Sequence, residues 1–328
     1  MRNGKVAPKP ASAQPKTKAP RANAPRAAKR VGTASETAFL ILDEQLNALL
    51  EEEQRIRTNA DVDAVHDMRV ASRRLRAGLR AFSAFLNPGI VALEPQIKWI
   101  FSLLGDVRDF DICIQLLNAQ TLDGALHTVE DVAAALREAR NSEFNKLREA
   151  LDSSRYHELV QELRKELHKG PQSSNTLSGT PMLAAAPDIV SHEFRVMQET
   201  GQDLEPGADP VGFHKLRKRA KRFRYTLEFV KPLYKKRCKK MIDSLKDLQQ
   251  MLGDRQDQIM FADRVEALAQ KGRPAAELIR LTVELAEQAR KRASEIEERF
   301  PSAYASVTGK PWRRLRKSMN EKRRELWT

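Results

Sequence analysis

The sequence has too few cysteines for a disulfide framework or a cysteine-based zinc site. Its 328 residues include only Cys113 and Cys238, whereas a disulfide framework uses four or more cysteines and an all-cysteine zinc site uses four. Cys113 lies among apolar residues and Cys238 lies between basic ones. Two such cysteines fit a reducing compartment, so we expect a cytoplasmic protein.

Long apolar runs are also absent. The longest, such as residues 38–42, are far shorter than the roughly 18 residues that a membrane helix needs. The sequence therefore predicts no membrane span. The N-terminus also has no apolar stretch that could act as a secretory signal.

Aromatic residues and glycines are few as well. Aromatic residues make up only 6% of the chain and glycines number 14, which argues against a β-barrel or an RNA-reading sheet.

Acidic residues are scarce relative to basic ones. Lysine and arginine number 58 against 44 aspartates and glutamates, a net charge of +14. This surplus predicts an anionic partner, such as nucleic acid, polyphosphate or an acidic membrane. Residues 1–31 hold nine lysines or arginines, five prolines and no acid, so we expect a disordered basic arm. The arm is either a solubilising tail or a sequence-independent attachment to a polyanion, with DNA as a candidate.

The rest of the chain reads as helix. From Ser35, the expected start of the first helix, apolar residues recur at intervals of three and four, and Leu, Ala, Glu, Arg and Lys dominate. No segment has the pattern of a strand. Residues 170–187 are rich in Ser, Pro, Thr and Gly, which predicts a linker between two halves.

An internal repeat is the most informative feature. The segment VHDMRVASRRLRAGLRAFSAFL from Val65 matches FHKLRKRAKRFRYTLEFVKPLY from Phe213, and IKWIFSLLGDVRDFD from Ile97 matches LKDLQQMLGDRQDQI from Leu245. Both matches have the same offset of 148 residues, which generic amphipathic helices would not share. The sequence predicts two copies of one helical unit, at about 36–168 and 184–327.

Each copy carries a basic stripe beside an apolar one. On a helix from Val65, residues such as Met68, Leu75 and Leu79 form the apolar stripe. Residues 215–240 contain thirteen lysines or arginines and a single acid, Glu228. Like charges four apart cost about 0.2–0.5 kcal/mol per pair, so a helix face selected for stability alone would include more acids. A bound chain of phosphates would offset the repulsion, whereas the alternative is a merely solvated face. The basic stripes comprise His66, Arg69, Arg73, Arg76 and Arg80 in the first copy and His214, Arg217, Lys221 and Arg224 in the second.

Several neighbouring residues have two possible roles. His66 and His214 lack metal-ligating partners at helical spacing, so each is either a donor to phosphate or a buried histidine. Asp106 and Asp254 follow Gly105 and Gly253, and they are expected to cap the next helix or, alternatively, to contact a ligand. The C-terminal basic helix either borders a ligand-binding cavity shared with the basic stripes or is a solvated end. Lys98 and Lys246, seven residues before the two glycines, are candidates for ligand contact.

These motifs resemble the CHAD domain, the conserved histidine α-helical domain. The resemblance rests on V-H-x-M-R-V-x-x-R-R-L-R at 65–76, L-G-x-V-R-D-x-D at 104–111, F-H-x-L-R-K-x-x-K-x-x-R-Y at 213–225 and the Leu-Gly-Asp segment at Leu252. It covers about residues 35–327, and it departs from the pattern where Gln256 replaces the equivalent of Arg108. It implies an all-α fold of two four-helix bundles, related by a pseudo-twofold axis around a central basic cavity. It also implies binding of long-chain inorganic polyphosphate and recruitment to polyphosphate granules.

The resulting hypothesis is a non-catalytic polyphosphate-binding module without a metal or cofactor. A nucleic-acid-binding protein and a polyphosphate-processing enzyme are the alternatives. The first lacks a recognisable DNA-binding motif, and the second lacks a Gly-rich phosphate loop. The candidate polyphosphate-binding residues are His66, Arg69, Arg73, Arg74, Arg76, Arg80, Lys98, His214, Arg217, Lys218, Lys221, Arg222, Arg224, Lys246 and Arg316.

Overall fold

A computed structural model describes residues 32–59, 62–120, 126–172, 175–207, 209–270 and 275–327. The predicted disordered arm, residues 1–31, lies outside these ranges. The described residues form no β-strand, and their single isolated bridge joins Thr33 to Pro181. The all-α prediction is therefore confirmed. No helix in the described part of the chain is long and apolar enough to cross a membrane.

Eleven α-helices make up the described fold, with a short 3₁₀ turn at Ser83–Phe85 between the second and third. The first six belong to the first predicted copy and the last five to the second. They are α1 (Ala34–Asn59), α2 (Val62–Ala81), α3 (Pro88–Val91), α4 (Glu94–Asn118), α5 (Leu126–Asp152), α6 (Ser154–Lys169), α7 (Met182–Gly201), α8 (Pro210–Ala269), α9 (Ala276–Glu297), α10 (Phe300–Thr308) and α11 (Lys310–Arg324).

Helix boundaries follow the offset of the two sequence motifs. Helix α7 begins 148 residues after α1, and α8 begins 148 residues after α2. The two halves differ at the next corner, where a short turn and α3 separate α2 from α4. In the second half the chain stays helical through this corner, and α8 is interrupted only at Lys235, whose φ of 37° and ψ of −106° are non-helical. One broken helix thus replaces two separate ones.

The predicted apolar stripes form the core. Met68, Leu75 and Leu79 of α2 are buried, and so are the equivalent residues of α8. The core is continuous between the halves, because the rings of Phe82 and Phe229 lie 6.0 Å apart between centroids. Burial of large apolar side chains on both helices, at about 1.5–3 kcal/mol each, therefore fixes how α2 and α8 lie against each other.

Three local predictions are wrong. Helix α1 begins at Ala34, because Thr33 and Glu36 form a reciprocal pair of capping hydrogen bonds of 2.8 and 3.1 Å. Helix α7 begins at Met182, so its first turns, including Pro187, lie in the segment predicted to be linker. The Leu-Gly-Asp segments do not start new helices. Asp106 lies inside α4 and Asp254 lies inside α8, so neither caps a helix.

Candidate functional site

The basic stripes of the two halves meet where α2 packs against α8. We use the name central basic cluster for Arg69 and Arg73 of α2 together with Arg217 and Lys221 of α8. Burial first, and then the charges of Arg73, Arg217 and Arg69, hold the pKa of Lys221 well below its ordinary value of 10.5. Cations from one half thus act directly on a cation from the other. The positive charges of the cluster therefore repel one another.

The guanidinium groups of the cluster are incompletely paired. Nε of Arg69 and Nε of Arg217 are buried, and neither has a hydrogen-bond partner among the described residues. Burial lowers the pKa of Arg69 to about 10, with a further contribution from Arg73. The acid nearest to Arg217 is Asp257, at 3.6 Å between Nη2 and Oδ1. Because an unpaired buried donor costs about 1–3 kcal/mol, these groups favour an anionic ligand.

Two aspartates border the cluster. Burial raises the pKa of Asp109 and of Asp257, and the neighbouring arginines act in the opposite direction. Arg264 lies 3.9 Å from Asp109 and 4.0 Å from Asp106. Asp106 and Asp109 of the first Leu-Gly-Asp segment therefore lie beside basic side chains at the border of the cluster. Their charges only partly compensate those of the cluster.

Aromatic rings support several of the arginines. The guanidiniums of Arg69, Arg73 and Arg76 lie 4.9, 5.5 and 5.0 Å from the ring centroid of Phe101. Tyr225 is fully buried, and the guanidiniums of Arg74 and Arg224 lie 5.7 and 5.2 Å from its ring centroid. Burial acts to raise the pKa of Tyr225, but the charges of Arg73 and Arg224 outweigh it and the pKa is lowered. The sequence hypothesis did not assign either ring, although Phe101 lies one helical turn before Gly105.

Gly105, in the first Leu-Gly-Asp segment, leaves room for the guanidinium of Arg69. A Cβ at Gly105 would lie 3.2 Å from Nη2 and 3.4 Å from Nε of Arg69. A Cβ at Gly253 would meet nothing within 4 Å. Close approach thus explains the glycine in α4, whereas the one in α8 has no such contact.

The two histidines lie beside the cluster in their neutral form. Burial first, and then the charges of Arg108, Arg73 and Arg69, lower the pKa of His66 to about 4. Nδ1 of His214 donates a 2.6 Å hydrogen bond to Oε1 of Gln256, so the residue that departs from the motif orients this ring. No group of three or more His, Cys, Asp or Glu in the described ranges could hold a metal ion.

Five of the predicted arginines are engaged by glutamates. Arg222 makes two hydrogen bonds to Glu193, of 3.0 and 2.5 Å, and so holds α8 to α7. The other four converge in pairs on single carboxylates: Arg74 and Arg224 on Glu228, at 2.9 and 3.5 Å, and Arg76 and Arg80 on Glu94, at 2.8 and 2.6 Å. Because Arg74 belongs to α2 and Glu228 to α8, the first of these groups also links the halves.

The remaining predicted residues lie on the surface. Lys98, Lys218 and Arg316 are exposed. Lys246 is also exposed and pairs with Asp243 at 2.9 Å. The structure thus brings together His66, His214 and the four cations of the cluster. The four exposed residues, Lys98, Lys218, Lys246 and Arg316, lie outside that group.

The described part of the chain has an all-α fold, and its two halves share a basic cluster. Comparison of the chain with known protein families shows which class of protein has these features. The chain belongs to the CHAD domain family, whose model matches residues 40–266. This family is associated with polyphosphate. No curated protein matches the chain.

Two solved structures share the fold. The crystal structure of the CHAD domain from the plant Ricinus communis is 24% identical with a TM-score of 0.72, and the match covers 85% of this chain and 93% of that one. PptA from Streptomyces chartreusis is 19% identical with a TM-score of 0.66, and the match covers 83% of this chain and 99% of that one.

Proposed function

We propose that this protein binds inorganic polyphosphate at the central basic cluster without processing it. The observation that carries the proposal is the set of half-buried, incompletely paired cations contributed by both halves. Phosphate oxygens would accept hydrogen bonds from the guanidinium groups of Arg69 and of Arg217. They would also stabilise the charged form of Lys221, whose pKa lies well below its ordinary value.

The proposed ligand is a chain rather than a compact anion. Basic residues recur on successive turns of α2 and α8, and one turn of an α-helix rises about 5.4 Å. Such spacing presents a line of donors along each helix. We propose that a pseudo-twofold axis relates the two halves, so that the two lines of donors border one shared cavity. A linear phosphate polymer would pass through this cavity.

Loss of affinity on removing cluster charges tests the proposal. The double variant Arg69→Gln/Arg217→Gln removes two cations from the cluster, and Arg280→Gln/Arg292→Gln removes two exposed cations from α9. We expect the first variant to bind polyphosphate at least tenfold more weakly, at about 1.5–3 kcal/mol per charged contact. The α9 variant controls for net charge. Calorimetry showing equal affinity for both variants, with both folded, would refute the site.

We propose that the protein is not an enzyme. In the described residues, the aspartates beside the cluster already face arginines, and no set of ligands for a metal ion is present. Incubation with Mg²⁺ and polyphosphate, followed by gel electrophoresis, tests this directly. Shortening or lengthening of the chains would show a catalytic activity.

Recruitment to polyphosphate granules in the cytoplasm is the cellular role that we propose. A fluorescently tagged protein should form foci in cells that make polyphosphate and lose them in cells that do not. Duplex DNA is the competing ligand, because residues 1–31 carry nine basic residues and no acid. Displacement of polyphosphate by an equal concentration of DNA phosphate, at physiological salt, would favour DNA instead.

A further inference from the structure

A second group of cations lies on the surface at the break in α8. Lys231, Lys235, Lys236 and Lys239 line a shallow depression of about 400 Å³ beside Pro232. We call this group the lysine corner. Residues 231–240 contain six lysines or arginines and no acid, whereas the equivalent residues 83–92 of the first half contain no charged residue at all. The positive charge of the lysine corner therefore has no counterpart in the first half.

The lysine corner continues the basic stripe of the cluster. Positions 214, 217, 221, 224, 228, 231 and 235 alternate in steps of three and four, which keeps them on one face of a helix up to the break. Glu228 is the one acid on this line. It is offset by ion pairs to Arg74 and Arg224, so the line remains net positive from the cluster to the corner.

The side chains at the corner are available to a ligand. Lys235 and Lys236 are exposed, and Lys231 is half-buried. None of these three makes an ion pair with a residue that the structure describes. The corner is also held in place, because Nζ of Lys322 on α11 donates a 2.8 Å hydrogen bond to the carbonyl oxygen of Leu233.

We propose that a polyphosphate chain bound at the central basic cluster extends along α8 to the lysine corner, so that the corner selects for long chains. This inference rests on the proposed function. Lys231 follows Lys221 by ten residues, about 15 Å along a helix. A tripolyphosphate bound at the cluster is too short to bridge that distance, whereas a long chain reaches both regions.

The test compares two ligands and matched variants of the full chain. The corner variant is Lys231→Gln/Lys235→Gln/Lys236→Gln. A second corner variant, Lys231→Gln/Lys236→Gln/Lys239→Gln, leaves the residue at the break unchanged in case the first misfolds. The control removes three exposed cations from α9: Arg280→Gln/Lys291→Gln/Arg292→Gln. Calorimetry measures the Kd for tripolyphosphate and for long-chain polyphosphate, and the same variants are also titrated with duplex DNA.

We expect the corner variants to bind long chains about tenfold more weakly, with a slope of log K against log salt that is shallower by about two for three lost contacts. Binding of tripolyphosphate should change by less than about twofold, since short anions engage only the cluster. The α9 control should match the wild type with both ligands.

Three outcomes would overturn the inference while leaving the proposed function intact. Corner variants with wild-type affinity for long chains would show that the corner makes no contact. An equal loss in the α9 control would reduce the effect to net charge. Loss of duplex DNA binding alone would assign the corner to nucleic acid. Wild-type tripolyphosphate binding by Arg69→Gln/Arg217→Gln would instead remove the proposed function, and this inference with it.

Discussion

Replacing Lys221 by methionine should make the protein more stable and a weaker binder of polyphosphate. Lys221 is a half-buried cation with cationic neighbours from both halves, and its amino group is largely removed from water. Methionine has a similar length, so it fills the same space without a charge. Exchange of buried ion pairs or triads for apolar residues of similar volume is often neutral or stabilising by about 1–4 kcal/mol. Lys221 makes no ion pair with a described residue, so its replacement leaves no partner uncompensated. We expect a gain of about 1–3 kcal/mol, or a rise in Tm of about 2–6 °C.

The pH dependence gives an independent check on the cause. Because the folded-state pKa of Lys221 is lowered from 10.5, the unfolded chain binds more protons than the folded one between the two values. Stability of the wild type should therefore rise with pH across that window. Lys221→Met lacks this group, so its advantage over the wild type should shrink as the pH approaches 10.5.

Binding should change in the opposite direction to stability. One charge-assisted contact contributes about 1.5–3 kcal/mol, so the Kd for long-chain polyphosphate should rise by about 10- to 100-fold. Lys215→Met is the matched control, because Lys215 is an exposed lysine on the same helix. Chemical denaturation and calorimetry measure the two quantities. A destabilised Lys221→Met variant with wild-type affinity would show that this lysine is neither strained nor part of the site.

Three further predictions concern other residues. Gly105→Ala should weaken polyphosphate binding severalfold by displacing the guanidinium of Arg69, whereas Gly253→Ala should leave binding unchanged and stabilise the helix by about 0.5–1 kcal/mol; calorimetry and thermal unfolding distinguish them. Because the pKa of His66 is lowered to about 4, the folded protein binds this proton less readily than the unfolded chain does, and the free energy of unfolding should fall as the pH drops from 6.5 toward 4. The expected loss is about 2 kcal/mol, after a discount for partial solvent contact. Urea unfolding of a His66→Gln variant should not show this loss. Glu297→Gln breaks a buried ion pair with an arginine and should cost about 3–5 kcal/mol; a midpoint of unfolding equal to that of the wild type would contradict this.

The periodic features of the sequence predicted the all-α fold, and they indicated which basic residues of the two halves are equivalent. The binding role of those residues stays a prediction. Apolar residues at helical spacing specified the helices and the buried faces of α2 and α8. The equal offsets of the two motifs indicated that Arg69 and Arg217 occupy equivalent positions, and the structure places both beside the same lysine. These inferences depend only on local periodicity and on the repeat, which a sequence displays directly.

The division of the arginines into those engaged by glutamates and those incompletely paired could not be predicted in the same way. Glu228 pairs with Arg74 from 154 residues away, and sequence spacing contains no signal for such a contact. The capping role expected for Asp106 failed for another reason. A glycine inside a helix costs only about 1 kcal/mol, which the packing of the flanking apolar residues on α4 outweighs.

Binding of polyphosphate to the central basic cluster, as proposed above, would also stabilise the folded protein against unfolding. By mass action, a ligand at 100 times its Kd adds about 2.7 kcal/mol to the free energy of unfolding. Susceptibility to proteolysis would then fall as the polymer accumulates, and the amount of this protein in a cell would follow the supply of phosphate without any change in its synthesis.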